Sequence, residues 1–464
     1  MFSPETYTRR RNQLASRMTS GMLLFPGNGE SPMNYAANPY PFRQDSTFLY
    51  YFGLSQPGLA AVMDVDHNQV TIFGEDPTID EIVWMGDMPS VAQRAESTGV
   101  HDTRPLADMT EVVAAARDAG RRVHFLPPYR ADTTNLLSGL LDIHISEVKL
   151  HASTEFIEAV VAQRSCKDVD EIAELERAVA TSVRMHETAI RMARPGMKES
   201  DIAAEVERIA VAAGGRVAYP VIATVNGQIL HNYHHGNTLS EGDVFLMDAG
   251  AETSMGYAGD LTSTFPVSRR FHTRQRTIYE IVQEAYAEAC SMLRPGVHNR
   301  QVHLAASRTI FEGMKGLGIM RGDTEEAVAA GAHALVFPHG IGHMIGLDVH
   351  DMENLGEELV GYAGEPRSTQ FGLKSLRLAR KLEAGFTITV EPGIYFIPQL
   401  MDRWRAGSHL AQFINYDELD LWRDFGGVRL EEDFLITADG ARRLGPLKPN
   451  SLEEIEALRS ATVP

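Results

Sequence analysis

Glu-Gly-Asp-Val-Phe-Leu-Met-Asp-Ala-Gly at 241–250 and Ala-Gly-Phe-Thr-Ile-Thr-Val-Glu-Pro-Gly at 384–393 are two versions of one pattern. In each, a glycine precedes an apolar run suited to a strand, and a carboxylate stands six residues after the glycine: Gly242 to Asp248, Gly385 to Glu391. The repetition extends upstream. One helical pattern ends in Ala-Arg-Pro-Gly at 193–196 and another in Leu-Arg-Pro-Gly at 293–296, and each is followed by a second helical pattern, at 200–213 and 300–314. Self-similarity of this kind marks a duplicated architecture. Downstream of each apolar run comes another segment with a further carboxylate, Asp260 in Ala-Gly-Asp-Leu-Thr and Glu431 in Gly-Gly-Val-Arg-Leu-Glu-Glu-Asp. Two duplicated half-sheets facing each other would carry all four carboxylates to one centre. The expected fold class is α/β (α+β), with a pseudo-twofold internal repeat in the C-terminal domain.

Carboxylates on apolar strands need a partner, because an unpaired buried charge costs several kcal/mol. Pro-His-Gly-Ile-Gly-His at 338–343 adds an imidazole, His343. An oxygen-rich set with one nitrogen suits hard or borderline divalent ions such as Mn²⁺, Mg²⁺ or Co²⁺ rather than thiophilic ones. Asp248, Asp260, Glu391 and Glu431 together exceed what one ion requires, so two divalent ions are expected, with Mn²⁺ preferred. His339 and His343 are four apart but sit among glycines and lack the glutamate of His-Glu-x-x-His, so a helical zinc-protease motif is not the reading. The pattern is that of a dinuclear metallohydrolase.

At 464 residues the chain is too long for one core. A net charge of −19 argues against a nucleic-acid partner, since phosphate backbones demand basic surface. Cys166 and Cys290 are the only cysteines, which leaves no disulfide framework and no thiolate metal site. The first residues show no apolar signal core, and no stretch approaches the roughly 18–20 apolar residues of a membrane span. A soluble, cytoplasmic protein without a membrane partner is expected. Residues 47–53 and 59–65 are aromatic or β-branched runs read as strands, 110–119 as a helix and 122–126 as another strand, together an N-terminal α/β domain. Long amphipathic helices begin with 170–193, which places the domains at 1–160 and 161–464.

These residues, in these settings and this order, resemble the "pita-bread" metallopeptidases: methionine aminopeptidase, aminopeptidase P and prolidase. The match runs through His-Gly-Ile-Gly-His-Met-Ile-Gly-Leu-Asp-Val-His-Asp (339–351), Thr-Val-Glu-Pro-Gly-Ile-Tyr-Phe (389–396) and 426–433. Phe-Arg-Gln-Asp-Ser-Thr-Phe-Leu-Tyr-Tyr-Phe-Gly-Leu at 42–54 resembles the extra domain shared by aminopeptidase P and prolidase. Cleavage of Xaa-Pro bonds is what the resemblance implies, a special task because proline lacks an N–H and its ring fixes φ. Ser-Leu-Arg-Leu-Ala-Arg at 375–380 resembles the prolidase segment whose first arginine, here Arg377, grips the dipeptide carboxylate; a solvated helix charge is the alternative. The interval from Glu391 to Glu431, with a helical insert around 400–425, and the stretches at 62–66 and 83–86 also look prolidase-like. An Xaa-Pro dipeptidase is the preferred reading and aminopeptidase P the alternative.

The resemblance also implies roles. Asp248 would bind one ion, Asp260 and Glu431 would bridge both, and His343 with Glu391 would complete the set, so that a shared water yields hydroxide at neutral pH. Glu391 would also handle that water's proton. His231 would contact substrate, His350 would steady the carbonyl oxygen, and His339 would stand behind them or face substrate. Arg429 would orient Glu431. Tyr219 and Ile222 resemble pocket residues, although the segment from Tyr219 to His231 is shorter than in prolidases. The Asp248–Asp260 interval is one residue longer than usual. Trp84 resembles a tryptophan that reaches a neighbour's active site in prolidase dimers, with a core position as the alternative, and a homodimer is expected. A binding module of this fold, or a metal-free hydrolase, would not need all five ligands.

Overall fold

The computed structural model describes residues 1–461 and divides into two compact units, Met1–Arg164 with Met352–Leu359, and Ser165–Asp351 with the chain from Val360 onward. In the first, strands β1 (Met22–Pro26), β2 (Ala60–Asp64), β3 (Gln69–Phe73), β4 (Asp102–Arg104) and β5 (Val123–His124) form one sheet ordered β4-β3-β2-β1-β5. β2 is antiparallel to β1 and β3, while β4 and β5 add parallel edges. Pleating sends Met22, Leu24, Ala60 and Val62 to one face. There they pack with Met109 and Val113 of the helix Asp108–Asp118 and Leu137 of the helix Ala131–Leu141.

The strand expected at 47–53 is a helix, Ser46–Phe52. Asp45 accepts a hydrogen bond from the Phe48 backbone N–H at 2.9 Å, and Gly53 closes the helix in the left-handed conformation. Ser46, Thr47, Phe48, Tyr50, Tyr51 and Phe52 are all buried, so no polar face interrupts the apolar run. Aromatic content favours a strand when nothing else decides, but here the end caps and all-round burial decide for a helix. Trp84 is not a core residue. It is 85% exposed on the helix Ile79–Met85, none of whose side chains is buried.

The second unit is built twice over. Helices Val169–Met192 and Glu199–Ala212 open the first half, and Thr273–Ser291 and Asn299–Gly316 open the second. Strands β6 (Arg216–Val217), β7 (Ile222–Thr224), β8 (Val244–Asp248), β9 (Ala251–Glu252) and β10 (Thr262–Pro266) follow the first pair. β11 (Thr387–Val390), β12 (Gly393–Tyr395), β13 (Gly427–Arg429), β14 (Glu432–Ile436) and β15 (Ala441–Arg443) follow the second. β8 lies between β10 and β7, with Asp248 opposite Thr262, and β14 lies between β11 and β15, with Val390 opposite Glu432. The repeated glycines have one physical cause: Gly242 (φ +93°) and Gly385 (φ +95°) make the same left-handed turn into β8 and β11. Among the described residues a β-bridge joins the halves, the Glu431 N–H donating to the Thr262 carbonyl at 3.2 Å. The insert between β12 and β13 carries two short helices, Pro398–Ala406 and Tyr416–Asp420.

Candidate metal centre

Asp248 ends β8, and Glu391 immediately follows β11. Asp260 and Glu431 stand just ahead of β10 and β14, flanking the bridge that joins the halves. Asp248, Asp260, His343 and Glu431 are buried, while Glu391 keeps partial access to solvent. Asp260, His343 and Glu431 each offer a donor atom within 4.8 Å of the others. His343 is held by Thr389, whose hydroxyl accepts its backbone N–H at 3.2 Å. Its Nδ1 lies 2.9 Å from the Met344 carbonyl and so carries the proton, which turns the Nε2 lone pair toward Asp260 Oδ2 (3.3 Å) and Glu391 Oε1 (3.8 Å). An Nε2 that faces carboxylate oxygens calls for a cation between them, a proton when no metal is bound and a metal ion otherwise. The residues present therefore fit divalent ions.

The electrostatics agree. Burial, then repulsion from Asp260 and Asp248, pushes Glu391 up to about 8 from an ordinary 4.5, against the pull of Arg429. Burial and the neighbouring carboxylates raise Glu431 well above its usual range, and burial raises Asp248 despite Arg429. Asp260 goes the other way: burial opposes ionisation, but His343 and Tyr219 outweigh it. Acids crowded this closely hold their charges only if positive charge is supplied.

Side chains around the ligands set their geometry. Tyr219 Oη lies 2.6 Å from Asp248 Oδ1 and 2.5 Å from Asp260 Oδ1, tying the two aspartates together across the longer interval. Arg429 donates to Asp248 Oδ2 (2.6 Å), to Tyr395 Oη (2.9 Å) and to Thr262 Oγ1 (3.1 Å), and it bears on Glu431 through Thr262, whose hydroxyl donates to Glu431 Oε2 at 2.7 Å, and through its charge. β13 ends at Arg429 and β14 begins after Glu431, so the backbone breaks between them and the long guanidinium crosses to the opposite half. Tyr395 is packed on Ile222 and Leu246 and meets His339 Nε2 at 2.8 Å, while His339 Nδ1 meets the Gly340 carbonyl at 2.8 Å. Burial, reinforced by Arg429, lowers His339 to about 3, so its imidazole is neutral.

A cavity of about 370 Å³ opens over these groups. All five expected ligands line it, as do Tyr219, Ile222, His231, His339, His350, Arg377 and Arg429. His231 is exposed at the mouth, with its ring stacked on Tyr233 at 6.3 Å. His350 is half-buried, its ring 4.3 Å from that of His343. Arg377 lies in a loop just after the short turn Leu373–Ser375, half-buried, and its charge is felt at His231, His339 and Glu391. Arg377 is thus on no helix, and it lines the cavity.

Residues 173–438 match the model of metallopeptidase family M24, and 7–124 match the aminopeptidase P N-terminal domain. The chain belongs to metallopeptidase family M24. It is 31% identical to the Xaa-Pro dipeptidase of Homo sapiens, over 94% of this chain and 88% of that one. To the Xaa-Pro aminopeptidase of Escherichia coli (strain K12) it is 30% identical, over 99% and 98%. Among solved structures, the zinc-substituted aminopeptidase P of E. coli in complex with product superposes with a TM-score of 0.82 at 29% identity, covering 99% of both chains. The aminopeptidase PepP of Pseudomonas aeruginosa does so with 0.81 at 28%, covering 99% of this chain and 98% of that one. The fold is thus the pita-bread fold of M24 enzymes, a family that uses divalent metals.

Within this M24 site, sequence reasoning missed Thr262, Thr389 and Tyr395, which make the hydrogen bonds described above, and Asp433. Asp433 is buried, and its Oδ2 accepts the Asp260 backbone N–H at 2.9 Å. Thr262 and Asp433 lie two residues from Asp260 and Glu431, so alternation along each strand is the one local signal that could have found them.

Proposed function

We propose that this protein is an Xaa-Pro dipeptidase working with two divalent ions, preferably Mn²⁺, held by Asp248, Asp260, His343, Glu391 and Glu431. When bound, such ions supply Lewis-acid polarisation of the scissile carbonyl and make water nucleophilic at neutral pH. The chain's own residues do the rest. Glu391, which keeps access to the cavity, takes the proton of the attacking water and passes it to the proline nitrogen as the C–N bond breaks. His350 donates to the carbonyl oxygen as negative charge develops there. His231, at the mouth, contacts the substrate. His339, neutral and held between Tyr395 and Gly340, fixes the wall behind Glu391, its Nδ1 3.6 Å from Oε2.

The observation that carries the dipeptide reading is Arg377. It lines the same cavity as Glu391 and His350, where a guanidinium fork suits a terminal carboxylate. A second reading, aminopeptidase P, is favoured by the solved structures that match over nearly the whole chain. Turnover of an Xaa-Pro dipeptide and an Xaa-Pro-Yaa tripeptide by Mn²⁺-loaded protein decides between them. A strong preference for the tripeptide would overturn the dipeptidase assignment.

The proposal includes a homodimer, a cytoplasmic location and a domain boundary near residue 160. The exposed apolar side chains Ile79, Val83, Trp84 and Met85 on one short helix support a second copy of this chain as partner. Among the described residues, no helix is long and apolar enough to cross a membrane. Sedimentation of the protein beside a Trp84→Ala variant tests the dimer: a wild type that sediments as a monomer rules it out.

A further inference from the structure

Lys167 and Asp351 form an ion pair at 2.8 Å with both side chains 1% exposed. Burying such a pair is expensive, and apolar residues would fill the same space at least as stably. Its position is therefore informative. Asp351 directly follows His350 in the chain. Its backbone N–H closes a loop onto the Met344 carbonyl at 2.9 Å, the same carbonyl that fixes His343 Nδ1. Its carboxylate packs against Gly346, where a Cβ would come within 2.5 Å of Oδ2. The Gly346 carbonyl in turn accepts from Ala258, two residues before Asp260.

Lys167 is anchored as firmly. Its backbone N–H donates to the Gly385 carbonyl at 2.8 Å, in the turn that launches β11 toward Glu391. The pair thus links the loop 344–351 to the turn that sets Glu391, across 184 residues of chain.

We infer that the Lys167–Asp351 ion pair is a positioning device that holds His350 at its place beside His343, touching neither substrate nor ions. The inference rests on the role proposed for His350. Loop 344–351 lies outside the named helices and strands, and this pair joins the Met344–Ile388 bridge and the buried Ile345 and Leu347 in setting its shape. Displacing a transition-state contact by about 1 Å costs on the order of a hundredfold in rate.

The test is the double variant Lys167→Met/Asp351→Leu, which removes both charges and leaves neither buried alone. It should fold, bind Mn²⁺ with the stoichiometry of the unaltered protein and keep KM, while kcat falls about a hundredfold. In a His350→Ala background the same pair of changes should cost less than about twofold further. In metal-free protein with ¹³C-labelled histidines, the His350 ring signal should shift or broaden while those of buried His186 and His303 stay. Full kcat in the folded double variant, an undiminished loss in the His350→Ala background, or an unmoved His350 signal would each overturn the inference. Should the double variant not fold, Asp351→Asn keeps the volume and an acceptor for Lys167, and must show the same pattern at smaller size. If His350→Ala itself proves fully active, the proposed role of His350 fails, whereas the ring signal still reports whether the pair positions it.

Discussion

Arg429 and Asp248 meet across the two halves of the catalytic unit, Nη2 to Oδ2 at 2.6 Å, both side chains buried. The guanidinium comes from the second half and the carboxylate from the first, so the contact exists only when both halves are folded against each other. Because Arg429 also holds Tyr395 and Thr262, one side chain aligns Asp248, the support of His339 and the support of Glu431.

Arg429→Met should therefore destabilise the metal-free protein by about 3 kcal/mol, the scale for removing one partner of a buried pair. With its cation gone, Asp248 is raised still further by burial, so the folded variant gives up more stability as pH rises and the carboxylate must ionise without Arg429. The loss should be larger at pH 8 than at pH 5 in urea denaturation. Equal losses at both values would show that the pair is not the source.

In metal-free protein the stability contributed by the Glu391 carboxyl should fall as pH rises from about 4.5 to 8. Glu391 is held up to about 8 when folded and near 4.5 when unfolded, so the folded chain binds a proton there that the unfolded chain releases. Its contribution is complete below pH 4.5 and lost as pH climbs through 8, with Glu431 acting in the same sense and buried His339, held down to about 3, acting in the opposite sense below pH 6.5. The difference in melting temperature between unaltered and Glu391→Gln protein, in which the histidines cancel, should therefore change by several degrees across this window. A difference independent of pH would contradict the assignment.

Chelation should abolish activity, and about two equivalents of Mn²⁺ per chain should restore it. Glu391→Gln should lose both metal occupancy and turnover, whereas His350→Ala should keep its metal and lose kcat. Metal analysis beside steady-state kinetics separates the two, and full activity in exhaustively metal-free protein would refute the metal requirement.

Arg377→Ala should lower kcat/KM for an Xaa-Pro dipeptide by roughly ten- to a hundredfold, from loss of a charge-assisted bond of about 1.5–3 kcal/mol. A tripeptide, which places an amide where the dipeptide carboxylate would lie, should be affected far less. Equal effects on both, with tripeptides the better substrates of the unaltered protein, would identify an aminopeptidase P.

The duplicated glycine-strand-carboxylate pattern was legible in the chain because it is local: a left-handed turn at Gly242 or Gly385, then an alternating strand, fixes where Asp248 and Glu391 emerge whatever surrounds them. Long helices were legible for the same reason, 170–193 emerging as Val169–Met192. The helix Ser46–Phe52 was not, since complete burial erases the polar face on which periodicity depends. Nor was the bond of Arg429 to Asp248, which adds to the route through Thr262 by which it bears on Glu431. The reach of a guanidinium, the hydroxyl of Tyr219 between two aspartates and the bond from Lys167 to Asp351 depend on how separate segments pack, and packing joins residues 29 to 184 positions apart. Local backbone preference put Asp248 and Glu391 at the ends of β8 and β11; the approach of one half to the other at Thr262 and Glu431 brought the four carboxylates around one centre.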